Sequence, residues 1–198
     1  MLTVYLLRHG QTRWNADGNR YCGRTDIPLT EKGEEQALFV KQQLSGIRLD
    51  AVYASPLQRA ALTAHIATGR DVITDDRLIE VAFGNWEGKT REQFCLENPS
   101  SWHNWSNDPF CTRAGETGET GAEIVARVED FFKEKMQQHK NHTIMVVAHN
   151  GVNRLYMAYK LGMPLKNYRQ IVQHNSAITR FYLDEEGVLT LEYLNTNL

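Results

Sequence analysis

The sequence predicts a three-layer α/β/α sandwich with a mostly parallel central sheet. Two observations carry most of that prediction. Val4-Tyr5-Leu6-Leu7 and Thr143-Ile144-Met145-Val146-Val147-Ala148 are continuous apolar runs, the pattern of strands covered on both faces. Segments with helical spacing alternate with such strands along the chain, as parallel sheets with crossover helices require.

Taken in order, the first strand runs into Arg8-His9-Gly10-Gln11-Thr12-Arg13-Trp14-Asn15, and a Gly- and Asp-containing loop spans Asp17 to Pro28. Thr30 then caps a helix carrying Ala37, Leu38, Val40 and Leu44 at helical spacing. Ala51-Val52-Tyr53-Ala54 is a short strand. Ser55-Pro56-Leu57-Gln58 after it has the form of a capping box with proline at the first helical position, which puts Arg59 in a first helical turn. The stretch 89–117, with Pro99, Trp102, Trp105 and Pro109, is less regular and is expected to form a lid or insert over the active site. Thr120, with Glu123 three residues on, caps a long helix with an apolar face of Ile124, Val125, Val128, Phe131, Phe132 and Met136. After the central strand 143–148 a helix spans Val152 to Leu161. Ala177 to Leu183 and Val188 to Leu194 close the chain as two strands joined at Asp184-Glu185-Glu186-Gly187. With no repeats, low-complexity segments or dividing linker, residues 1–198 read as one domain.

Composition excludes several partners. A formal net charge of −2 gives no electrostatic footprint for nucleic acid or an anionic membrane. No apolar run approaches the roughly 20 residues that cross a bilayer. An anionic ligand must therefore be held by locally placed cations. Cys22, Cys95 and Cys111 are few, odd in number and irregularly spaced, which fits a reducing compartment; with no leader pattern at the front, the expectation is a cytoplasmic protein. No histidine lies at His-x-x-x-His or a comparable ligand spacing with cysteine, so neither a metal nor a cofactor is implied.

Arg8 and His9, Arg59, and His149 each follow a predicted strand. In a parallel sheet such junctions fall on one edge, where open α/β sheets bind ligands. A lone histidine after a strand is ordinarily structural, and arginine is ordinarily a surface residue. Two guanidiniums and two imidazoles at one edge instead form an anion pocket. The positive end of the helix bearing Arg59 would add to it. An imidazole there can attack phosphorus while the arginines neutralise its oxygens.

Arg8-His9-Gly10 with Asn15, Ser55-Pro56-Leu57-Gln58-Arg59-Ala60, Leu78-Ile79-Glu80 with Gly84-Asn85-Trp86-Glu87-Gly88, and His149-Asn150-Gly151-Val152 occur in this order. Together they resemble the histidine phosphatase, or phosphoglycerate mutase-like, superfamily over nearly the whole chain. The resemblance implies that His9 is the nucleophile and that Arg8, Arg59 and His149 bind the transferred phosphoryl group. It implies that Glu80 protonates the leaving oxygen and then activates water, a role that calls for a carboxyl group with a raised pKa. Glu87 is the rival acid, but Trp86 and Gly88 beside it mark a structural loop. Asn15, Cys22, Gly23 and Asn150 are the expected substrate contacts. Relatives commonly have glycine where this chain has Asn150; asparagine tolerates a left-handed backbone, so the turn there is expected to survive, with the substrate fit altered.

Tyr21 to Leu29, Phe83 to Gly88, Trp102-His103-Asn104-Trp105 and Gly118-Glu119-Thr120 resemble the same features of bacterial α-ribazole phosphatases, which act in assembly of the cobalamin nucleotide loop. A wall of Trp102 and Trp105 would suit stacking on a base-like substrate; ordinary packing is the alternative. The expected ligand is thus a small phosphorylated metabolite, with α-ribazole 5'-phosphate as the candidate. Two other readings are carried: a cofactor-dependent phosphoglycerate mutase, disfavoured because only Arg91 and Arg113 lie in 89–117, and a non-catalytic phosphoprotein-binding module, disfavoured because His9 and Glu80 are both present.

Overall fold

Strand β1, Leu2–Arg8, occupies the middle of a six-stranded sheet, and its alternating side chains feed two separate cores. Leu2, Val4 and Leu6 pack into one, Tyr5 and Leu7 into the other, as the two-residue period of a strand dictates. The computed structural model describes residues 1–196; residues 197 and 198, the last of the predicted domain, lie outside the described residues.

The remaining elements are α1 (Arg13–Ala16), α2 (Glu31–Gln43), β2 (Ala51–Ala54), α3 (Gln58–Thr68), β3 (Ile73–Thr74), α4 (Arg91–Glu97), α5 (Pro99–Asn107), α6 (Gly121–Gln138), β4 (Thr143–Ala148), α7 (Asn150–Lys160), β5 (Ile178–Leu183) and β6 (Leu189–Thr196). The strand order is β3-β2-β4-β1-β5-β6. β1, β2, β3 and β4 run parallel, with Leu7 opposite Val147 and Ala54 also opposite Val147. β5 and β6 complete the sheet antiparallel. The three-layer, mostly parallel architecture read from the sequence is the one observed.

Helices α2 and α3 cover one face through Val40, Leu44, Ala60, Ala64 and Ala67. α6 and α7 cover the other through Ile124, Val128, Phe131, Leu155 and Tyr156. The chain therefore leaves adjacent strands β1 and β4 towards opposite faces, which opens a crevice at their carboxyl ends.

Three local expectations change. α3 begins two residues later than the sequence indicates: Leu57 is its N-cap and makes no side-chain capping bond, while Ser55 Oγ accepts from the Leu57 N–H at 3.3 Å. The Gln58 N–H is taken instead by Asp26 Oδ1 at 2.9 Å, so the expected capping box does not form. The stretch 89–117 contains two helices, with Thr90 and Gln93 forming a capping box and Pro99 at a helix start capped by Asn98. Asn150 is the first residue of α7 and has no left-handed backbone, because the α7 turn begins directly at the strand end. Thr30 and Thr120 cap α2 and α6 as their spacing predicts.

Candidate active site

β1 delivers Arg8 at its last residue and His9 immediately beyond. The His9 N–H bonds the Ala148 carbonyl, which fastens the strand ends together. The next residue must be glycine: a Cβ on Gly10 would lie 2.3 Å from the Gly33 carbonyl oxygen at the start of α2. His9 Nδ1 donates to the Gly10 carbonyl at 2.6 Å, which leaves Nε2 as the unprotonated nitrogen. Burial and the neighbouring Arg59 and Arg8 charges hold the His9 imidazole neutral, far below the usual histidine range.

His149, the N-cap residue of α7, is fully buried with its ring centre 5.1 Å from that of His9. Burial again, then Arg59, keeps it neutral. Arg59 comes from the first turn of α3 and is also fully buried; its Nη1 and Nη2 donate to the carbonyls of Thr25 and Gly23, each at 2.8 Å. Arg8 Nη1 donates to the Gln173 carbonyl at 2.9 Å, and burial lowers its pKa to about 10. Arg8 Nε, Arg59 Nε and both His149 nitrogens are buried with no protein partner. Buried polar groups of this kind call for a ligand or ordered water.

Glu80 is buried beside the start of α7. Its Oε1 accepts from the N–H groups of Val81 at 2.9 Å and Val152 at 3.0 Å, and its Oε2 from that of Gly151 at 3.1 Å. Gly151 makes room for it: a Cβ there would come within 2.8 Å of Glu80 Oε1. Glu87 is placed differently. Its Oε1 accepts from the N–H groups of Arg24 and Phe83, and its Oε2 from Thr25 Oγ1, so it ties the 22–25 loop to the 83–88 turn.

A cleft of about 430 Å³ has Arg8, His9, Asn15, Cys22, Glu80 and Asn150 in its lining, while Arg59 and His149 are fully buried and are not part of that lining. The Asn150 Oδ1 there is buried and unpartnered. Gly23 does not line the cleft; it contributes the carbonyl that holds Arg59, and a Cβ on it would collide with Glu87. Trp102 and Trp105 do not line it either. They pack around Trp86 and Phe94, with Trp105 Nε1 donating to Tyr168 Oη at 3.2 Å, so the tryptophan wall expected for a base-like substrate is an internal aromatic cluster. From 89–117 only Thr90, Arg91 and Glu92 reach the cleft.

The structure adds residues that sequence reasoning passed over. Asn175 Nδ2 donates to the His9 carbonyl at 3.0 Å and to Asn15 Oδ1 at 3.3 Å. The Ser176 N–H bonds the Arg8 carbonyl. Loop 173–176 thereby clamps both Arg8 and His9. Arg154 and Arg169 stand on the outer wall with Tyr21 and Tyr168. An arginine one turn after a strand-end histidine was the available signal for Arg154; nothing local marks Asn175 or Arg169.

Residues 4–197 match the model of the histidine phosphatase superfamily, branch 1. The chain belongs to that superfamily. This histidine phosphatase is 34% identical to phosphoserine phosphatase 1 of Hydrogenobacter thermophilus over 97% of the chain and 92% of the relative. It is 33% identical to the adenosylcobalamin/α-ribazole phosphatase of Escherichia coli over 82% and 81%. Its fold superposes on a phosphoserine phosphatase mutant from Entamoeba histolytica, solved in complex with phosphoserine, with a TM-score of 0.90 at 30% identity, covering 100% of this chain and 98% of that one. The family's phosphatase-named members make this histidine phosphatase a hydrolase.

Proposed function

We propose that the protein hydrolyses a small phosphomonoester through a phosphohistidine formed on His9. The observation that supports this reading best is the ring of buried, unpartnered donors and nitrogens from Arg8, Arg59 and His149 around a neutral His9. Such groups are complementary to a tetrahedral dianion whose charge moves outward in the transition state.

His9 Nε2 attacks phosphorus as the bond to the leaving oxygen breaks. Glu80 gives that oxygen its proton, while the Nδ1–H bond to the Gly10 carbonyl supports the ring as it gains positive charge. Arg8, Arg59 and His149 hold the phosphoryl oxygens, and Asn15 closes the cradle. Water then attacks the phosphohistidine, passing its proton to the Glu80 carboxylate; the P–N bond breaks, and phosphate leaves with His9 neutral again. The chemistry is carried by arginine and histidine, so turnover is expected to survive EDTA without added divalent metal.

Relatives are named for phosphoserine and for α-ribazole 5'-phosphate, and both compounds belong in a substrate panel. Support for α-ribazole through a tryptophan wall falls away, since Trp105 is buried and the half-buried Trp102 packs on Trp86 and Phe94, outside the cleft lining. Rapid quench of the parent protein with a turned-over phosphomonoester is expected to trap an acid-labile, base-stable phosphoenzyme, and His9→Ala is expected to lose both the adduct and turnover. Substantial turnover in folded His9→Ala overturns the reading.

A further inference from the structure

Asn15 lines the cleft, and a side-chain amide there can meet a ligand with either of two faces of opposite polarity, an accepting oxygen or a donating NH2. Three hydrogen bonds decide between them. Asn15 Oδ1 accepts from the Thr12 N–H at 3.1 Å, one half of the capping box that starts α1; the other half runs from the Asn15 N–H to Thr12 Oγ1 at 3.3 Å. A backbone N–H can only donate, so the atom facing it is the amide oxygen. Asn175 Nδ2 donates to the same oxygen at 3.3 Å. The polarity of Asn175 is fixed in turn, because its second contact, at 3.0 Å, is the His9 carbonyl, which can only accept. With both lone-pair sites of Oδ1 engaged, Asn15 offers the cleft its NH2 group, and among the described residues that group has no protein hydrogen bond.

Asn175 sits on a loop, but its backbone is pinned on both sides. The His174 N–H donates to Asn195 Oδ1 in β6 at 2.6 Å, and the Ser176 N–H to the Arg8 carbonyl at 3.0 Å. Ser176 is buried with a φ of +58°, in the left-handed region. A residue other than glycine is kept there where its surroundings over-determine it. The Asn175 side chain thus spends one N–H on His9 and the other on Asn15, two groups that face the same ligand. Turning the Asn15 amide over would sacrifice two hydrogen bonds where Thr12 alone would make it sacrifice one.

We propose that Asn175 is a positioning residue that fixes the polarity of the Asn15 amide, so that Asn15 meets the phosphoryl oxygens as a hydrogen-bond donor. This rests on the phosphatase reading above for the place of the phosphoryl group. An amide presented oxygen-first would repel an oxyanion; presented NH2-first, it adds a donor already oriented before the ligand arrives.

The test is equilibrium binding of orthovanadate, which needs no turnover, with thermal midpoints measured alongside. Asn15→Asp keeps an inward oxygen for Thr12 and Asn175 but replaces the NH2 at the cleft by an anionic oxygen. It is expected to stay folded and to bind vanadate at least about tenfold more weakly, the scale of one charge-assisted hydrogen bond. Asn175→Asp sets a carboxylate against Asn15 Oδ1 and the His9 carbonyl, and the relief is to turn the Asn15 NH2 inward. Vanadate affinity is again expected to fall about tenfold. Added charge alone would also weaken binding, so the same substitution is made in Asn15→Ala, where its further effect is expected to be at most about threefold. Asn175→Ala repeats the comparison without charge, with a loss of about threefold in the parent and none in Asn15→Ala. Parent-like vanadate binding in Asn15→Asp, or losses from the Asn175 substitutions that are undiminished in Asn15→Ala, overturns the assignment. The expected pattern in a protein that hydrolyses no phosphomonoester would instead overturn the phosphatase reading and leave the amide polarity standing.

Discussion

Glu80 and Glu87, seven residues apart on either side of the turn from Phe83 to Trp86, are set apart by their hydrogen bonds. Glu80 lies at the cleft with both oxygens on backbone N–H groups, whereas Glu87 spends its oxygens on Arg24, Phe83 and Thr25. Glu80→Gln is therefore expected to slow alkyl phosphates far more than activated aryl phosphates, whose leaving group needs little protonation. Glu87→Gln is expected to act through stability, costing about 1–3 kcal/mol in denaturant unfolding with similar effects on both substrate classes. The reverse pattern would move the proton donor to Glu87. Gly151→Ala probes the same carboxyl from the other side. Its Cβ would crowd Glu80 Oε1, Val81 and Phe83, while alanine suits a helix interior better than glycine by about 1 kcal/mol. Turnover is expected to fall at least about tenfold, equivalent to about 1.4 kcal/mol of transition-state stabilisation, with a much smaller change in thermal midpoint. A melting point that collapses together with activity would give Gly151 a purely structural role.

At the scale of elements, the strands and helices that set up the site were legible wherever one local rule acts alone. Continuous apolar runs mark β1 and β4, and side-chain capping marks α2 and α6. Because β1 and β4 are parallel neighbours, the convergence of Arg8, His9 and His149 could be reasoned without coordinates. The sequence was less informative where packing competes with periodicity. α4 and α5 bury Phe94 and Trp105 against Trp86, an arrangement whose short, proline-punctuated segments show no clear helical period. β3 has only two residues, Ile73 and Thr74, too few for any pattern to register. Asn175 and Arg169 reach the site through loops, so their neighbours in space are remote in sequence. The segment leading to Glu80 is also set from a distance. Arg77 bonds Asp75, Asp130 and Glu134, and Arg127 Nη1 donates to the Arg77 carbonyl at 2.7 Å, so α6 holds the approach to the acid. Arg127→Leu is expected to lower kcat for poorly activated esters more than KM, measured on the same alkyl phosphate; an effect confined to stability would uncouple α6 from the chemistry.

For the whole molecule, burying two neutral imidazoles couples folding to pH. In the unfolded chain His9 and His149 protonate near 6.5, while in the folded chain both stay neutral well below that value. The unfolded state therefore binds more protons at acid pH. This contribution to stability is intact above about 6.5 and is lost as pH falls, at up to about 1.4 kcal/mol per pH unit for each histidine. Urea midpoints between pH 7.5 and 5 are expected to fall less steeply in His149→Gln than in the parent; parallel slopes would show that His149 is not held neutral. The clamp of loop 173–176 on Arg8 and His9 has a consequence for how the protein comes into being. His9, the proposed nucleophile, directly follows β1, but its carbonyl and that of Arg8 are fastened by Asn175 and Ser176, far along the chain, and β1 is flanked by β4 and β5. During synthesis the motif residues are therefore expected to converge only once residues 173–176 have been made, and a product truncated before residue 173 is expected to hydrolyse no phosphate ester.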